Sequence, residues 1–268
     1  MLQQSMTYRA LDYTSSPTPD PAPPSPTAIV VPVASPTTPP TLDDVLYKSG
    51  PNTCQNGQMM VQVTLKTDAH PEETSWDVYD ASTRKIIFSY QVDAGYKFAS
   101  IIASLCLNRS KYYFLVVNDS GGNGMNSGAS GFWKFSLNGV VQGSGSDFKY
   151  HDGFQIFGAW PKCFNSNKRL ITLILHTDDN GTESSWSIQD KVTGEIMFRN
   201  TITFRSNAIF VQNRCVPINK SLVFRLRDSG RNGLCCGYGQ GFFAMHYNDK
   251  QILKGETFVG SRSKTVAT

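Results

Sequence analysis

The chain has 268 residues, 40% of them hydrophobic, and a net charge of +4, so it has room for two domains of ordinary size and little else. Its charges are scattered, without a basic cluster or a basic stripe interleaved with aromatic residues, which argues against nucleic-acid binding. The longest apolar run near the N-terminus, residues 28–34, is short and broken by Pro32, so we expect no membrane insertion and no signal peptide. The protein is then either intracellular or has lost a targeting segment.

The first 47 residues are predicted to form a disordered or draped arm. They hold most of the prolines and almost no periodic apolar residues, a composition that cannot offset the entropy lost on folding. Arg9 against Asp12, Asp20, Asp43 and Asp44 gives the arm a net charge of −3 and leaves +7 on the rest of a chain whose total is +4. An acidic arm could lie on the basic body of a neighbouring copy.

The remaining sequence repeats itself once. One group of positions returns 110 residues later: Thr67-Asp68, Glu73 and Ser75-Trp76 as Thr177-Asp178, Glu183 and Ser185-Trp186. A second group returns 109 residues later: Cys106, Asp119 and Asn123-Gly124 as Cys215, Asp228 and Asn232-Gly233. A period this long exceeds the ~20–50 residues of solenoid repeats, so each copy should be a domain with its own core. We predict domains at residues 48–157 and 158–268.

Within each copy the apolar residues recur with period two, as expected for half-buried strands. Val61, Val63 and Leu65 show this in the first copy, and Leu222 and Phe224 in the second. Turn residues separate the strands at Asn138-Gly139, Thr193-Gly194 and Asn248-Asp249. No segment has the pattern of an amphipathic helix. The sequence therefore predicts two antiparallel β-sandwiches of the jelly-roll or immunoglobulin-like kind, with Trp76 and Trp186 as core residues.

One strand differs between the copies in a way that predicts an interface. A shift of 109 residues places Phe114 and Val116 opposite Val223 and Arg225, so a face that is partly charged in the second copy is apolar in the first. An apolar face on both sides of a strand needs cover. The cover could be the sister domain, the arm, another subunit or the domain's own core.

The six cysteines leave the redox state open. Pairs of Cys54 with Cys106 and Cys163 with Cys215 would be equivalent in the two copies and would indicate an oxidising environment. Reduced, partly buried thiols are an equal alternative. Cys235-Cys236 has no cysteine counterpart in the first copy, and adjacent cysteines are not expected to bridge each other.

The second copy carries the motifs of a known module. Asp228-Ser229-Gly230, Asn232-Gly233 and Cys235-Cys236, read with Thr177-Asp178 and Ser185-Trp186, resemble a β-sandwich module of secreted bacterial and diatom proteins, with the pattern T-D-x-x-P-x-E-T-S-W and D-S-x-G-D-G-x-C-C-x-Y-G-x-G. The first copy keeps the run from His70 to Trp76 and Cys106-Leu107 but not the double cysteine. The tandem arrangement behind a proline-rich arm is similar to diatom pyrenoid shell proteins. That resemblance implies a plastid protein that assembles into a sheet.

The loop carboxylates are candidates for a metal site or for turn formers. Asp68, Glu73 and Asp119, and in the second copy Asp178, Glu183 and Asp228, are oxygen ligands of the kind that Ca²⁺ accepts. The family's second loop aspartate is Asn123 in one copy and Asn232 in the other, which removes a carboxylate from each candidate site. We therefore predict no metal and expect the aspartates to bond local amides, with Gly124 and Gly233 at positive φ.

The sequence predicts neither catalytic residues nor a cofactor. His70, His151, His176 and His246 have no histidine at the equivalent position of the other copy, and no nucleophile, zinc or phosphate motif is present. A secreted carbohydrate-binding or adhesion module is the main alternative to a structural protein, and calcium would be its cation. Tyr238, Phe242 and Phe243 as exposed rings, with sequons at Asn108 and Asn180, favour it.

We therefore expect a non-enzymatic structural protein that self-associates into a sheet or shell, in which Phe114, Val116, Tyr238 and Phe242 are the candidate interface residues. The shell that surrounds the pyrenoid in the plastid, where carbon is fixed, is the particular case that the resemblance implies. Duplication gives one subunit two similar surfaces, and contacts between such surfaces need not close into a ring.

Overall fold

The computed structural model describes residues 46–128 and 131–266. Of the predicted arm, residues 46 and 47 begin the first strand, and the rest lies outside the described residues. The described part contains seventeen strands, two short 3-10 turns at Pro71–Glu73 and Gly181–Glu183, and no α-helix. The prediction of an all-β chain is confirmed. None of the described helical segments is long and apolar enough to span a bilayer.

The strands fall into two series along the chain. The first series is β1 (Leu46–Ser49), β2 (Gln58–Lys66), β3 (Thr74–Asp80), β4 (Lys85–Gln91), β5 (Ser100–Asn108), β6 (Tyr112–Asp119), β7 (Phe132–Leu137), β8 (Val140–Gly145) and β9 (His151–Gly158). The second is β10 (Lys168–His176), β11 (Ser184–Asp190), β12 (Ile196–Arg199), β13 (Ile209–Pro217), β14 (Leu222–Asp228), β15 (Phe242–Tyr247), β16 (Lys250–Gly255) and β17 (Ser261–Val266). We call these series the first and second halves.

Each half forms two sheets. Sheet I has the order β1-β5-β2-β7-β8 and sheet II the order β4-β3-β6-β9. Sheet III has the order β13-β10-β15-β16 and sheet IV the order β12-β11-β14-β17. Neighbouring strands are antiparallel except β1 and β5, which are parallel. The antiparallel prediction is wrong for β1 because this strand enters from the arm, without a hairpin to set its direction, and precedes the part of the chain that repeats.

Alternation of side chains places one core in each half. In β2 every second residue is buried, among them Val61 and Val63, and these pack with Trp76 and Leu115 from sheet II. An equivalent cluster joins sheets III and IV around Trp186. Fully burying one such aliphatic or aromatic side chain stabilises the fold by about 1.5–3 kcal/mol.

Two-residue turns set the register of the predicted hairpins. Asn138 and Gly139, both at positive φ (48° and 82°), connect β7 to β8. Asn248 and Asp249 (49° and 67°) connect β15 to β16 in the same way. These left-handed conformations match the twist of two paired strands, which explains why Asn, Asp and Gly occupy the turns.

Candidate functional site

The face that carries Phe114 and Val116 is covered by the second half of the chain. Both side chains are fully buried. They belong to a third apolar cluster, which we call the junction cluster and which joins the outer face of sheet II to the outer face of sheet III. Its buried members are Tyr79, Ala81, Phe114, Val116, Phe154, Trp160, Ile174, Phe242 and Ala244. Among the covers that the sequence left open, the structure thus places the sister half on this face.

The predicted exposed aromatic residues take two different positions. Tyr238 is 55% exposed, whereas Phe242 and Phe243 are buried, so the expectation that they are exposed is wrong. The reason is that β15 is covered on both faces. Phe243 points into the core of the second half, and Phe242 points into the junction cluster.

Phe154 is an extra residue that the first half inserts into its edge strand. Val116 pairs with Gly153 and Leu115 pairs with Gln155, so Phe154 lies unpaired between them in a β-bulge. The corresponding pairs in the second half, between β14 and β17, follow one another without such a residue. Phe154 has φ 48°, and its ring lies 5.1 Å from the ring of Phe242. Gly153, a glycine inside a strand, was the sequence signal for this bulge.

Polar contacts between the halves surround the junction cluster. The Nδ1 of His151 lies 2.8 Å from Oε2 of Glu256, whose other oxygen accepts the amide of Tyr150 at 3.1 Å. His246 Nε2 donates to the carbonyl of Phe154 at 2.8 Å, since a carbonyl can only accept. Lys254 pairs with Asp152. Sequence reasoning missed these residues because a contact between unlike halves leaves no repeated motif.

A cleft of about 240 Å³ opens beside the junction cluster, and both halves line it. Its lining includes Ser75, Asp77, Tyr150, His151, His176 and Phe242. Burial raises the pKa of Asp77, against hydrogen bonds from Ser89 and Asn118. Burial, together with the charge of His151, lowers the pKa of His176 to about 4, so this imidazole is neutral near pH 7.

The hydrogen bonds of the cleft hold its polar groups in place. The amide of Asn118 donates to Asp77 at 2.8 Å and to the Ser75 hydroxyl at 3.2 Å. That serine is therefore held by an amide rather than by a base. The cleft offers a small polar molecule hydrogen-bonding groups, without a paired nucleophile and base at these positions.

The aspartates of the repeated loops bond backbone amides. Asp119 Oδ2 accepts the amides of Asn123 at 2.8 Å and Gly124 at 2.7 Å. Asp228 Oδ2 accepts the amide of Gly233 at 2.8 Å. Gly124 and Gly233 have φ values of 70° and 77°, and a Cβ at Gly124 would lie 2.6 Å from the Phe148 carbonyl oxygen. These aspartates fix the loop conformation in both halves.

The other motif carboxylates also accept hydrogen bonds from nearby amides, except for Glu183. Asp68 accepts the amides of His70 at 2.9 Å and Ser127 at 2.8 Å, and Asp178 accepts that of Asn180 at 2.9 Å. Glu73 accepts the Asn123 side-chain amide at 3.3 Å. In the second half, one oxygen of Glu183 is buried without a hydrogen-bond partner among the described residues. Within those residues, no group of three or more His, Cys, Asp or Glu is arranged to hold a metal ion.

Trp76 and Trp186 lie in the cores of the two halves. Their exposures are 0% and 3%, and the Trp76 ring stacks on Phe88 with 4.8 Å between centroids. Both tryptophans are therefore core residues, as the sequence predicts.

The cysteines form three disulfides. Cys54–Cys106 and Cys163–Cys215 have Cα separations of 5.5 and 5.8 Å and span the same 52 residues of sequence. Cys235 and Cys236 are also joined, contrary to the expectation for adjacent residues. The backbones of Cys235 and Gln240 pair in an isolated antiparallel β-bridge, so this loop closes on itself.

Comparison with known proteins does not assign the chain to a family. No protein-family model matches the chain, and neither the curated proteins nor the solved structures contain a significant match.

Proposed function

We propose that the chain is a non-enzymatic structural protein, built from two tandem β-sandwich domains related by duplication, that self-associates into a sheet or shell. The resemblance to pyrenoid shell proteins supports the plastid as its compartment and carbon fixation as the process it serves. The proposal rests on one feature of the surface, which is an exposed apolar strand edge.

That edge is β4, the outer strand of sheet II. Its seven residues include Ile86 and Ile87, which are 47% and 44% exposed. An edge strand presents unpaired N–H and C=O groups to solvent, and a long apolar one is a template for pairing with another chain. The equivalent strand of the second half, β12, exposes Ile196 by 49% but has only four residues and ends in Arg199. The longer apolar edge is thus in the first half.

A second edge allows growth beyond a dimer. β8 is the outer strand of sheet I and exposes Val140 and Val141 by 63% and 53%. Pairing of like edges at β4 alone would give a closed dimer. Two distinct edges on one subunit give an array that does not close, as a sheet or shell requires.

We expect the Ile86→Lys/Ile87→Lys variant to remain folded but to lose the large assemblies of the unmodified protein. Lysine on an edge strand opposes pairing through charge repulsion and the desolvation of two ammonium groups. Size-exclusion chromatography with light scattering, together with electron microscopy, measures the change.

Val192→Lys/Val259→Lys is the matched control, because these two side chains are exposed by 86% and 80%, and the pair of changes adds the same charge at positions outside the strands. It should assemble normally. An unmodified protein that stays monomeric at high concentration, or an edge variant that assembles like the control, would rule out association through β4.

A secreted binding module is the second candidate, and the disulfides favour it. Such bonds persist mainly in oxidising compartments. We expect non-reducing peptide mapping of the native protein, alkylated at harvest, to recover the Cys54–Cys106 and Cys163–Cys215 pairs if the protein is secreted. Free thiols at all four positions, with a fluorescent fusion in the plastid, would exclude secretion.

A further inference from the structure

The outer face of sheet IV carries a regular set of cations and hydroxyls. Arg199 lies opposite Ser187, which in turn lies opposite Arg225, and Ser185 lies opposite Arg227 in the adjacent row. Side chains that share a row point to the same side of a sheet, here away from the core. We call Arg199, Arg225, Arg227, Ser185, Ser187 and Gln189 the basic face.

The basic face is present in the second half only, as a comparison with the equivalent residues of the first half shows. The repeat makes Arg199 equivalent to Ser89, Arg225 to Val116 and Arg227 to Asn118. It makes Ser187 equivalent to Asp77. The equivalent face of sheet II contributes to the junction cluster, whereas the basic face is open. All three arginines are exposed.

No carboxylate of the described residues neutralises these arginines. The acids of sheet IV lie at strand ends, where Asp190 pairs with Lys220 at 2.8 Å and Asp228 bonds loop amides. Neighbouring residues on one face of a strand are ~6.6 Å apart, and alternate strands are ~9.6 Å apart. Three unpaired guanidinium groups this close repel one another, so an anion that bridges them is stabilised.

We propose that the basic face binds an acidic polysaccharide. A guanidinium group bonds a sulfate or carboxylate group through two parallel N–H donors. The hydroxyl of Ser187 lies between Arg199 and Arg225, Ser185 and Gln189 flank it on the same strand, and these groups suit the hydroxyls of a sugar chain. The face contains a recess of about 260 Å³, which Arg199, Arg225 and Arg227 border.

Other polyanions fit the face less well. Single-stranded nucleic acid is bound by exposed aromatic rings on which bases stack, and the outward positions of β11, β12, β14 and β17 carry none. A flat sheet face has no element that enters the groove of a duplex. The arm of this chain has four acids spread over residues 12–44, and only Asp43 and Asp44 are adjacent, so its charge is much less dense than that of an acidic polysaccharide.

The inference does not depend on self-association, because the basic face lies in the second half and both apolar edges lie in the first. Its test uses dextran sulfate as the probe and uncharged dextran as the ligand control. The variant Arg199→Ser/Arg225→Val/Arg227→Asn restores the residues of the first half. Lys97→Ser/Lys168→Ser/Lys250→Ser removes the same charge from exposed positions elsewhere and is the control variant.

We expect the unmodified protein to bind dextran sulfate but not dextran at moderate salt. A charge-assisted hydrogen bond contributes roughly a factor of ten to affinity, so the arginine variant should bind about 100-fold more weakly or worse. The lysine variant should lose less than about threefold, since long-range charge alone is screened. Titration calorimetry measures each affinity, and circular dichroism shows that both variants are folded. Equal losses in the two variants, or tighter binding of single-stranded DNA than of dextran sulfate, would overturn the proposal.

Discussion

Replacing Val116 by arginine is expected to lower the free energy of unfolding by about 3–5 kcal/mol. The new guanidinium group would lie in the junction cluster, where the native side chain is 0% exposed and its neighbours include Phe114 and Ile174. An unpaired charge cannot be satisfied in such a cluster. Urea denaturation followed by tryptophan fluorescence measures the loss.

The repeat supplies the control for this substitution. Arg225 occupies the position of Val116 in the second half and is exposed, so Arg225→Val should change stability by no more than about 0.5 kcal/mol. One variant thus replaces valine by arginine at a buried position, and the other replaces arginine by valine at the equivalent exposed position. If Val116→Arg were as mild as its counterpart, the second half could not be covering this face in solution.

The two halves differ most where they touch. On sheet III, Ile174 and Ala244 face the junction, and the first half has Thr64 and Lys134 at the equivalent positions of sheet I. On sheet II, Val116 faces the junction, and the second half has Arg225. Apolar residues therefore line the two faces that meet, and polar residues line the two faces that remain outside. Polar side chains on these outer faces oppose stacking of their sheets on those of another molecule.

The strands and turns could be predicted from the sequence because their signals are local. The alternation at Val61, Val63 and Leu65 reports which side of β2 faces a core, and Asn138-Gly139 reports a two-residue turn. The repeat doubled this information. The parallel strand β1 lies outside the repeat and had no such signal.

The junction could be predicted only in part, because its contacts join unlike residues that are distant in sequence. An apolar outer face at Phe114 and Val116 indicated that something covers it, but not what. His151 and Glu256 are 105 residues apart and have no repeated counterpart, so no pattern links them. Phe242 lies in a strand that is buried on both faces. The sequence of such a strand is a continuous apolar run, without the alternation that would show which face each residue occupies.

Lowering the pH from 7 to 5 is expected to destabilise the protein through two buried histidines. Burial lowers the pKa of both His176 and His246 to about 4, from an ordinary value of 6.5. Between these values the unfolded chain binds protons that the folded chain excludes, so stability is full above about pH 6.5 and falls as the pH drops toward 4. Each histidine should contribute about 2 kcal/mol of loss by pH 5.

The positions of these rings explain the direction of the effect. His246 donates its Nε2 proton to the Phe154 carbonyl, so protonation must occur at Nδ1, which is buried without a hydrogen-bond partner among the described residues. The Nδ1 of His176 is likewise buried without a hydrogen-bond partner among the described residues, in the cleft that His151 and Asp77 also line. In both cases the added charge would be desolvated at the junction between the halves.

Urea denaturation at pH 7, 6 and 5 tests this dependence. The variant His176→Gln/His246→Gln keeps a side-chain amide donor at each position and cannot titrate, so its stability should fall about 4 kcal/mol less than that of the unmodified protein between pH 7 and 5. His70→Gln is the matched control, because it makes the same substitution at a side chain that is 48% exposed and lies outside the junction. The comparison uses the slope with pH, so a uniform loss of stability in the double variant does not affect it. A double variant with the same slope as the unmodified protein would show that these histidines are not held neutral at the junction.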